Sequence, residues 1–599
     1  MTRRDELIRV LGDQGAERIA QRAQRRESAR EARRKARADL AEWRLWLVAG
    51  CFALGYATLA GQMALTAVAE PEEPALEVAG GPPPAERAPI VDREGRILAA
   101  NLPTWAIYAH PEVTARAGID AAEAARLLAS ALPGVGEETL RARFAPGRKF
   151  VWVKRPVSPA EKQAVHDLGL PGVEFGRRET RIYPAGRIGA HVLGGATVGA
   201  EGVDHAELVG LAGVERRLDN ALRDPARAGE PFRISLDLAA QTAMTEVLEA
   251  AMRDFRAIAA SAVLMDARNG EIIAMVSLPD FDPNARPDTR DPVVAKTRPM
   301  MNRAAEGVFE LGSTFKTFAA AQAMELGLYG PGSLIDTTGP LRVGRFRISD
   351  FHKMPPQMTL RDVIVESSNV GTARVAVAIG AERQKDFLGK LGLLEPTPVE
   401  IAEARLGQPL YPANWSQLST MTISYGHGLA ATQLHLAAAY ATLLNGGLKV
   451  KPTLIPGAPA PTEADRVVSA ETSRHLREML RAVVAEEKGT ANLAEVPGYE
   501  VGGKTGTAEK PSAGGYDGGR NITTFAGAFP MSDPRYVIVV TLDEASTFKY
   551  GRTWRTAGWT AAPTAGLAVR RIAPVLGMRP APKPIDPAEV AGAASGARF

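Results

Sequence analysis

The segment NRAAEGVFELGSTFKTFAAAQAMELG, residues 302–327, decides the fold around it because it predicts a helix that begins at a reactive serine. Gly312 precedes Ser313, and an apolar helical run follows. At a helix N-terminus, free N–H groups and the helix dipole stabilise negative charge on the Ser313 oxygen. Lys316 lies one turn later on the same face, and partial burial favours the neutral amine that a base requires. The pattern predicts Ser313 as nucleophile and Lys316 as its base.

The same four letters occur a second time, from Ser546 to Lys549. Ser546 follows YVIVVTLDEA, a predicted strand, and Lys549 precedes Tyr550-Gly551, which predicts a turn or loop. The spacing of serine and lysine therefore carries little weight by itself. The helical setting favours Ser313 as the reactive residue.

Two later segments complete an ordered set of motifs. Ser-Ser-Asn stands at 367–369 and Lys-Thr-Gly-Thr at 504–507. Ser-x-x-Lys, Ser-x-Asn and Lys-Thr-Gly in this order are the signature of penicillin-binding proteins and serine β-lactamases. One alternative stays open, because Ser367 and Asn369 could instead cap a helix that begins near Val370.

Composition excludes several classes of protein. The length of 599 residues predicts several domains, and 45% hydrophobic with 23% charged residues is the ordinary globular range. The net charge of +4 is small and much of it lies at the N-terminus, which argues against a nucleic-acid-binding body. The single cysteine, Cys51, excludes an intramolecular disulfide and a cysteine-rich zinc site. We expect neither a metal nor a cofactor.

The N-terminal region predicts a membrane anchor. Residues 1–44 are polar and Arg-rich, which indicates a solvated cytoplasmic tail rather than a nucleic-acid site. Residues 45–69 carry no charge and are long enough to form a transmembrane helix, with Trp43 and Trp46 at its start. The alternative is a signal peptide cleaved after Ala67-Val68-Ala69. Basic residues on the N-terminal side place the tail in the cytoplasm and the remainder outside.

The remainder of the chain predicts two folded domains. Residues 70–86 form a Pro/Gly/Glu linker, and 87–232 form an α/β module with two short strands around Glu94-Gly95. Residues 233–578 predict an α+β domain with a mostly antiparallel sheet flanked by helices. It contains a helix capped by Ser235 or Asp237, a hairpin over 260–277 and two late strands. The tail, 579–599, has a disordered composition.

The surroundings of these motifs resemble class B penicillin-binding proteins over residues 87–577. NRAAEGVFELGSTFKTF resembles their nucleophile segment, with Leu311 where proline is usual, and DARNGEIIAMVSLPDFDPN resembles the hairpin that precedes it. SYGHGLAATQLHLAAAYATLLNGG is most similar to the division-type, FtsI-like members, with His427 where tyrosine is usual. The pieces similar to the family's pedestal are Arg87–Gly95, with Ala88 in place of glycine, Arg181–Pro184, His191, Gly194 and Gly213–Glu215.

The resemblance implies a serine-type peptidoglycan D,D-transpeptidase, with a transpeptidase domain of the penicillin-binding and serine β-lactamase kind. The substrates would be stem peptides, and β-lactams would be inhibitors. It assigns these roles: Ser313 attacks the penultimate D-Ala carbonyl; Lys316 accepts its proton; Ser367 relays a proton to the leaving amine; Asn369 holds the substrate backbone; Lys504 supplies positive potential near the substrate carboxylate; Thr505 and Thr507 donate hydroxyls; and the N–H groups of Ser313 and Thr507 form the oxyanion hole. Gly506 is expected only to let its strand approach the substrate closely.

The resemblance also implies a location and partners. It places a single-pass protein in the inner membrane at the division septum, with a periplasmic catalytic domain, a membrane glycosyltransferase of the FtsW type and other divisome proteins. Three alternatives stay open: an elongation-type transpeptidase, a β-lactam hydrolase or sensor, and a non-catalytic cell-wall scaffold. The sequence contains no convincing motif for a deacylating carboxylate, which argues against hydrolysis.

Several other polar residues have a structural interpretation. Arg181 and His191 are expected to pack or pair within the pedestal, and His427 to be structural. Asp350 and His352 resemble an acid–base pair, but a surface or supporting role is favoured. Residues 509–520 are Gly-rich and predict a loop, either mobile beside the cleft or plain.

Overall fold

The structure is a computed structural model. It describes residues 43–64, residues 86–581 except 204–205, 228–229, 345 and 513–514, and seven separate positions between 18 and 35. Side chains of residues 511–518 are not described. The predicted tail 1–44, linker 70–86 and C-terminal tail 579–599 lie almost wholly outside the described residues.

One helix among the described residues could cross a membrane. It runs over Trp43–Ala64, has a mean hydropathy of 1.4 and is fully exposed to its surroundings. At 1.5 Å per residue it spans about 33 Å, slightly more than the hydrocarbon core of a bilayer. Residues 65–69 of the predicted anchor lie outside the described part.

The chain divides into two compact units, and the smaller comprises Met1–Pro74, Tyr108–Val153 and Ala164–Glu174. Within Tyr108–Val153 its helices are Pro111–Arg116, Ala121–Ala131 and Glu137–Arg143. Asp120 caps the second of these helices by accepting from two backbone N–H groups, and Leu128 and Leu140 are buried. The predicted boundary between residues 232 and 233 stays a prediction.

The larger unit comprises Ala75–Ile107, Lys154–Gln163 and Phe175–Phe599. Near its beginning, Ile90 pairs antiparallel with Ala99 and parallel with Phe232. Glu94 and Gly95 form the turn between the first two strands, as the sequence predicts. The strands between residues 90 and 233, some of which run on into the smaller unit, are Ile90–Val91, Ile97–Ala109, Val151–Val157, Val173–Ile182, Gly195–Glu201, Ala206–Ala212 and Phe232–Arg233. The remaining helices of this stretch are Pro159–Asp167, Ala190–Leu193, Gly213–Arg217, Asp219–Leu222 and the 3₁₀ turn Pro225–Arg227.

A buried ion cluster joins distant parts of this N-terminal region. Arg87 Nε and Arg181 Nε donate to the two carboxylate oxygens of Glu215 at 2.6 and 2.7 Å, and all three side chains are almost fully buried. His191 Nε2 lies 2.7 Å from the Pro299 carbonyl, and burial lowers the His191 pKa to about 4. The expectation that Arg181 and His191 are pairing or packing residues is confirmed.

A five-stranded antiparallel sheet forms the centre of the larger unit. Its spatial order is Gly502–Ser512, Gly515–Phe529, Tyr536–Asp543, Ala259–Asp266 and Ile272–Leu278. The last three strands are buried on both faces, because helices Leu238–Asp254 and Ala561–Val575 pack together on the sheet and Gln433–Leu444 packs on it as well. Asp237 caps the first of these helices. The antiparallel α+β prediction is confirmed, including the hairpin around residues 268–270.

The remaining elements of the larger unit surround the sheet. The helices are Pro292–Thr297, Lys316–Glu325, Leu360–Val365, Asn369–Ile379, Ala381–Lys390, Gln417–Ser424 and Ala470–Ala485, with 3₁₀ turns at Pro283–Ala285, Gly312–Phe315, Ala402–Leu406, Glu463–Asp465, Asn492–Ala494 and Ala557–Trp559. Four small strand pairs complete the set: Phe309–Glu310 with Ala430–Ala431, Leu334–Asp336 with Gln357–Thr359, Leu341–Val343 with Phe346–Ile348, and Thr547–Lys549 with Arg552–Trp554.

The loop predicted over residues 509–520 is wrong. The edge strand Gly502–Ser512 and its neighbour Gly515–Phe529 continue into this segment, where Lys510 pairs with Asp517 and Pro511 with Tyr516. A bulge between Glu509 and Lys510 shifts the register. Glycines disfavour strand interiors in general, but backbone pairing with a neighbouring strand overrides that preference here.

Candidate active site

Ser313 lies in a tight turn that other backbone segments contact closely. Residues Gly312–Phe315 form a 3₁₀ turn, and the α-helix proper begins at Lys316. Gly312 has φ +54°, and a Cβ there would lie 2.7 Å from the Thr507 carbonyl oxygen. Only glycine fits both this conformation and this approach. The predicted helix start at Ser313 is therefore correct, with a tighter first turn than an α-helix.

Two further glycines bring backbone against this turn. A Cβ on Gly506 would lie 2.2 Å from the Leu311 carbonyl oxygen, and a Cβ on Gly426 would lie 1.9 Å from that of Gly312. Gly506 thus permits the strand Gly502–Ser512 to approach the nucleophile turn, whereas the sequence predicted an approach to substrate. The role of Gly426, which has φ +87°, was missed, although it lies in a segment used for the family resemblance.

Lys316 is fully buried one turn beyond Ser313. Its Nζ donates to Ser367 Oγ at 3.0 Å and to the Ser367 carbonyl. Burial lowers the Lys316 pKa well below its ordinary value, the charge of Lys504 lowers it further, and Asp350 acts in the opposite direction. These influences favour a neutral amine, which can accept a proton.

Lys504 approaches the same hydroxyl from the sheet. It is fully buried in strand Gly502–Ser512, and its Nζ donates to Ser367 Oγ at 3.0 Å. Burial lowers its pKa to about 7. Two buried ammonium groups around one hydroxyl would repel each other. The site therefore favours a state in which one lysine is a charged ammonium and the other a neutral amine.

Ser367 is held in a strained conformation between the two lysines. Its φ is +66°, an uncommon value for a residue other than glycine. The following helix Asn369–Ile379 is capped by Ser368, whose Oγ accepts from Gly371 N at 3.0 Å. The alternative that Ser367 caps this helix is therefore wrong, because the neighbouring serine performs that function.

Asn369 and Asp350 form the outer side of this turn. Asn369 is the first helical residue, and its Nδ2 donates to the Ser349 carbonyl at 3.0 Å. Asp350 accepts from Ser368 Oγ at 3.0 Å and from the backbone N–H of Val370 at 3.1 Å. A carboxylate at a helix N-terminus is favourable. Asp350 therefore supports the Ser-x-Asn turn, whereas its sequence neighbour His352 is exposed, so the favoured supporting role for Asp350 is confirmed.

The two threonines of the Lys-Thr-Gly-Thr segment have different partners. Thr505 Oγ1 lies 2.8 Å from Thr490 Oγ1, and Thr507 Oγ1 accepts from Ala557 N at 3.0 Å. Thr505 and Thr507 are two residues apart in an extended strand and so project on the same side. Thr490 was missed by sequence reasoning, because it stands in a turn with no motif spacing to the other site residues.

A buried tyrosine fixes the nucleophile helix from behind. The hydroxyl of Tyr440 donates to the Thr314 carbonyl at 2.8 Å and lies 2.9 Å from Thr317 Oγ1. The ring of Phe318 packs edge-on against Tyr440 at 5.8 Å. This contact holds the turn that presents Ser313, which is half-buried. No hydrogen bond joins Ser313 Oγ to Lys316 Nζ among the described residues, and such bonds tighten when substrate is bound.

The second Ser-x-x-Lys segment has none of this geometry. Thr547–Lys549 is a short strand paired with Arg552–Trp554 through a turn at Tyr550 and Gly551. Lys549 is exposed, with its Nζ 5.9 Å from the centre of the Trp559 ring. The structure therefore brings together Ser313, Lys316, Ser367, Asn369, Lys504 and residues 505–507, and leaves Ser546 outside.

Comparison with known proteins agrees with this geometry. Residues 260–558 match the family described as the penicillin binding protein transpeptidase domain, and residues 82–226 match the penicillin-binding protein dimerisation domain. A search of solved structures finds penicillin-binding protein 3 of Mycobacterium tuberculosis, complexed with aztreonam, at a TM-score of 0.62 and 27% identity. That match covers 84% of this chain and 98% of the solved one.

Curated relatives cover most of the chain at appreciable identity. The probable peptidoglycan D,D-transpeptidase FtsI of Caulobacter vibrioides is 37% identical over 504 residues, which is 82% of each chain. The peptidoglycan D,D-transpeptidase FtsI of Escherichia coli K12 is 30% identical over 537 residues, 86% of this chain and 89% of that protein. This chain therefore belongs to the class B penicillin-binding proteins of the FtsI type.

Proposed function

We propose that this protein is a peptidoglycan D,D-transpeptidase that cross-links stem peptides through a Ser313 acyl-enzyme and is inhibited by β-lactams. The observation that carries the proposal is the convergence of two buried lysines on one hydroxyl directly behind the nucleophile turn. Lys316 Nζ and Lys504 Nζ each lie 3.0 Å from Ser367 Oγ. This arrangement can hold one proton, release it and take it back, as acyl transfer by a serine requires.

In the first step the neutral amine of Lys316 accepts the proton of the Ser313 hydroxyl. At the same time Ser313 Oγ forms a bond to the carbonyl carbon of the penultimate D-Ala. The oxyanion that develops accepts from the N–H groups of Ser313 and Thr507. The close backbone approach of Thr507 to Gly312 supports this pairing of donors. The C–N bond then breaks, and Ser367 relays the proton from Lys316 to the leaving amine of the terminal D-Ala.

In the second step an acceptor amine attacks the ester carbonyl of the acyl-enzyme. The amine loses one proton to the lysine and serine pair, the C–O bond to Ser313 breaks, and the proton returns to the Ser313 oxygen. One amide bond is broken and another is made, so the reaction needs no cofactor. A β-lactam would react in the same way: Ser313 would attack the carbonyl of its ring, the ring would open, and the product would stay bound as an ester of Ser313.

The remaining site residues position the donor peptide. The ammonium of Lys504, with the hydroxyls of Thr505 and Thr507, suits the terminal carboxylate, because both threonines project from the same side of one strand. Asn369 uses its Nδ2 on Ser349, which leaves its carbonyl oxygen oriented for a substrate N–H. These roles follow from the family resemblance and agree with the contacts described above.

The chain is anchored to a membrane, since the apolar helix Trp43–Ala64 precedes the folded units and the relatives are of the FtsI type. We infer that the N-terminus is cytoplasmic, that the catalytic unit lies in the periplasm, and that the protein works at the division septum beside an FtsW-type glycosyltransferase. Basic residues before the helix support the orientation. Imaging a tagged chain tests the rest: signal at mid-cell supports a septal role, and uniform lateral signal contradicts it.

Labelling with a fluorescent penicillin tests the catalytic proposal. We expect one covalent adduct, which peptide mapping places on Ser313 and which Ser313→Ala abolishes. Ser546→Ala is the matched control and should label as the wild type does. An adduct on Ser546, or none on correctly folded protein, contradicts the assignment. The lifetime of the adduct also separates a transpeptidase from a β-lactamase, because turnover within seconds would indicate a hydrolase.

A further inference from the structure

Thr490 contacts two residues of the proposed carboxylate site although it belongs to no motif. It is half-buried in a turn after helix Ala470–Ala485. Its Oγ1 lies 2.8 Å from Thr505 Oγ1 and 3.4 Å from Lys504 Nζ. Thr490 therefore connects the lysine that contacts Ser367 with the threonine that faces the substrate carboxylate.

The substrate carboxylate decides the direction of these hydrogen bonds. An ammonium has donors and no acceptor, so Thr490 Oγ1 can only accept from Lys504. Between the two threonine hydroxyls, either oxygen can be the donor. When Thr505 gives its single proton to the terminal carboxylate, its oxygen can only accept from Thr490. In the bound state the donors are then ordered from Lys504 through Thr490 and Thr505 to the carboxylate.

The backbone around Thr490 is closely packed, which suits a positioning residue. A Cβ on Gly489 would lie 2.2 Å from the Val483 carbonyl, and a Cβ on Gly558 would lie 2.7 Å from the Thr490 carbonyl. Lys488 Nζ pairs with Asp362 at 2.6 Å and so ties this turn to the helix that precedes Ser367. The hydroxyl is thus held in place from two sides.

We propose that Thr490 is a positioning residue that orients the Thr505 hydroxyl and Lys504 for the terminal carboxylate of the donor substrate. This inference rests on the proposed transpeptidase function and deepens it. Without the Thr490 hydroxyl, a Thr505 that donates to the carboxylate loses the donor that orients it, and Lys504 loses one acceptor. Recognition of the carboxylate should weaken, whereas the attack by Ser313 on a carbonyl should not.

Acylation of the full-length, detergent-solubilised protein by two probes tests this role. One probe is a thioester analogue of the acyl donor with a free terminal carboxylate, and the other is the same thioester with a terminal amide. For Thr490→Val we expect the second-order acylation rate of the carboxylate probe to fall about tenfold, the loss of one charge-linked hydrogen bond. The rate of the amide probe should stay within about twofold, and Thr490→Ser should restore the carboxylate rate.

Equal losses with both probes would show a merely structural role, and unchanged rates with both would show no role; either result overturns the inference. The unfolding midpoint of each variant is measured first, and Thr490→Ala replaces the valine variant if the latter does not fold. A wild-type protein that forms no adduct at Ser313 would instead overturn the proposed function. The two failures are therefore distinguishable.

Discussion

Two segments with identical letters, Ser-Thr-Phe-Lys at 313–316 and at 546–549, adopt different structures in this protein. In the first, a 3₁₀ turn leads into a helix, and the lysine is fully buried against Ser367. In the second, Thr547–Lys549 form a short extended strand whose lysine is exposed. Residues three apart share a face in a helix but face opposite sides of a strand. A Ser-x-x-Lys pattern therefore becomes a chemical site only when the fold makes it helical and buried.

Removing each lysine gives the largest expected contrast between the two segments. Lys316→Met keeps the buried volume but removes the base, so the penicillin acylation rate should fall about 10²- to 10⁴-fold. Lys549→Met removes an exposed amine and should change that rate by less than about twofold. The measurement is the second-order rate of labelling by fluorescent penicillin. A strong effect of Lys549→Met, or none of Lys316→Met, would contradict the comparison.

The glycine beside each segment provides a second contrast. Gly312 and Gly551 both have positive φ, at +54° and +75°, but a Cβ on Gly551 meets open space. Gly551→Ala should therefore cost only the backbone strain, about 1 kcal/mol of the free energy of unfolding. Gly312→Ala adds a clash with Thr507 and should cost about 3 kcal/mol or more, with loss of labelling. Thermal unfolding and labelling yield measure both, and equal costs would contradict the close backbone approach.

The smallest expected effect concerns pH. Burial lowers the pKa of Lys504 from its ordinary value to about 7, so its ammonium loses its proton as the pH rises through that value. The attraction for a substrate carboxylate is then lost on the alkaline side, and we expect labelling to slow about fivefold towards about pH 9, a loss of roughly 1 kcal/mol.

Lys504→Arg tests that assignment, because arginine keeps its charge and should remove the alkaline decline even if the overall rate is lower. Lys549→Arg is the matched control and should leave the pH profile unchanged. A wild-type profile that is flat over this range, or a decline that persists in Lys504→Arg, would assign the titration to another group.

The α+β class and several elements of the larger domain could be predicted from hydrophobic patterning. The hairpin over residues 260–277, the late strands and the cap at Asp237 follow from local periodicity and turn chemistry, and all appear in the structure. The segment 509–520 was predicted wrongly as a loop. Its glycine content is a local property that indicates a loop, whereas its strand structure depends on pairing with a neighbouring strand. The cap at Ser368 rather than Ser367 was also missed, since two adjacent serines are equivalent by propensity.

The sequence by itself determined the family, the membrane anchor and the order of the three motifs, because motif spacing and long apolar runs are properties of the chain alone. Tertiary structure decided which Ser-x-x-Lys is buried and that two lysines converge on Ser367 from elements far apart in the chain. It also decided that Thr490 contacts Thr505 and that glycines at 312, 426 and 506 bring three backbone segments together. These features depend on distances across the fold, and no local pattern of residues encodes such distances.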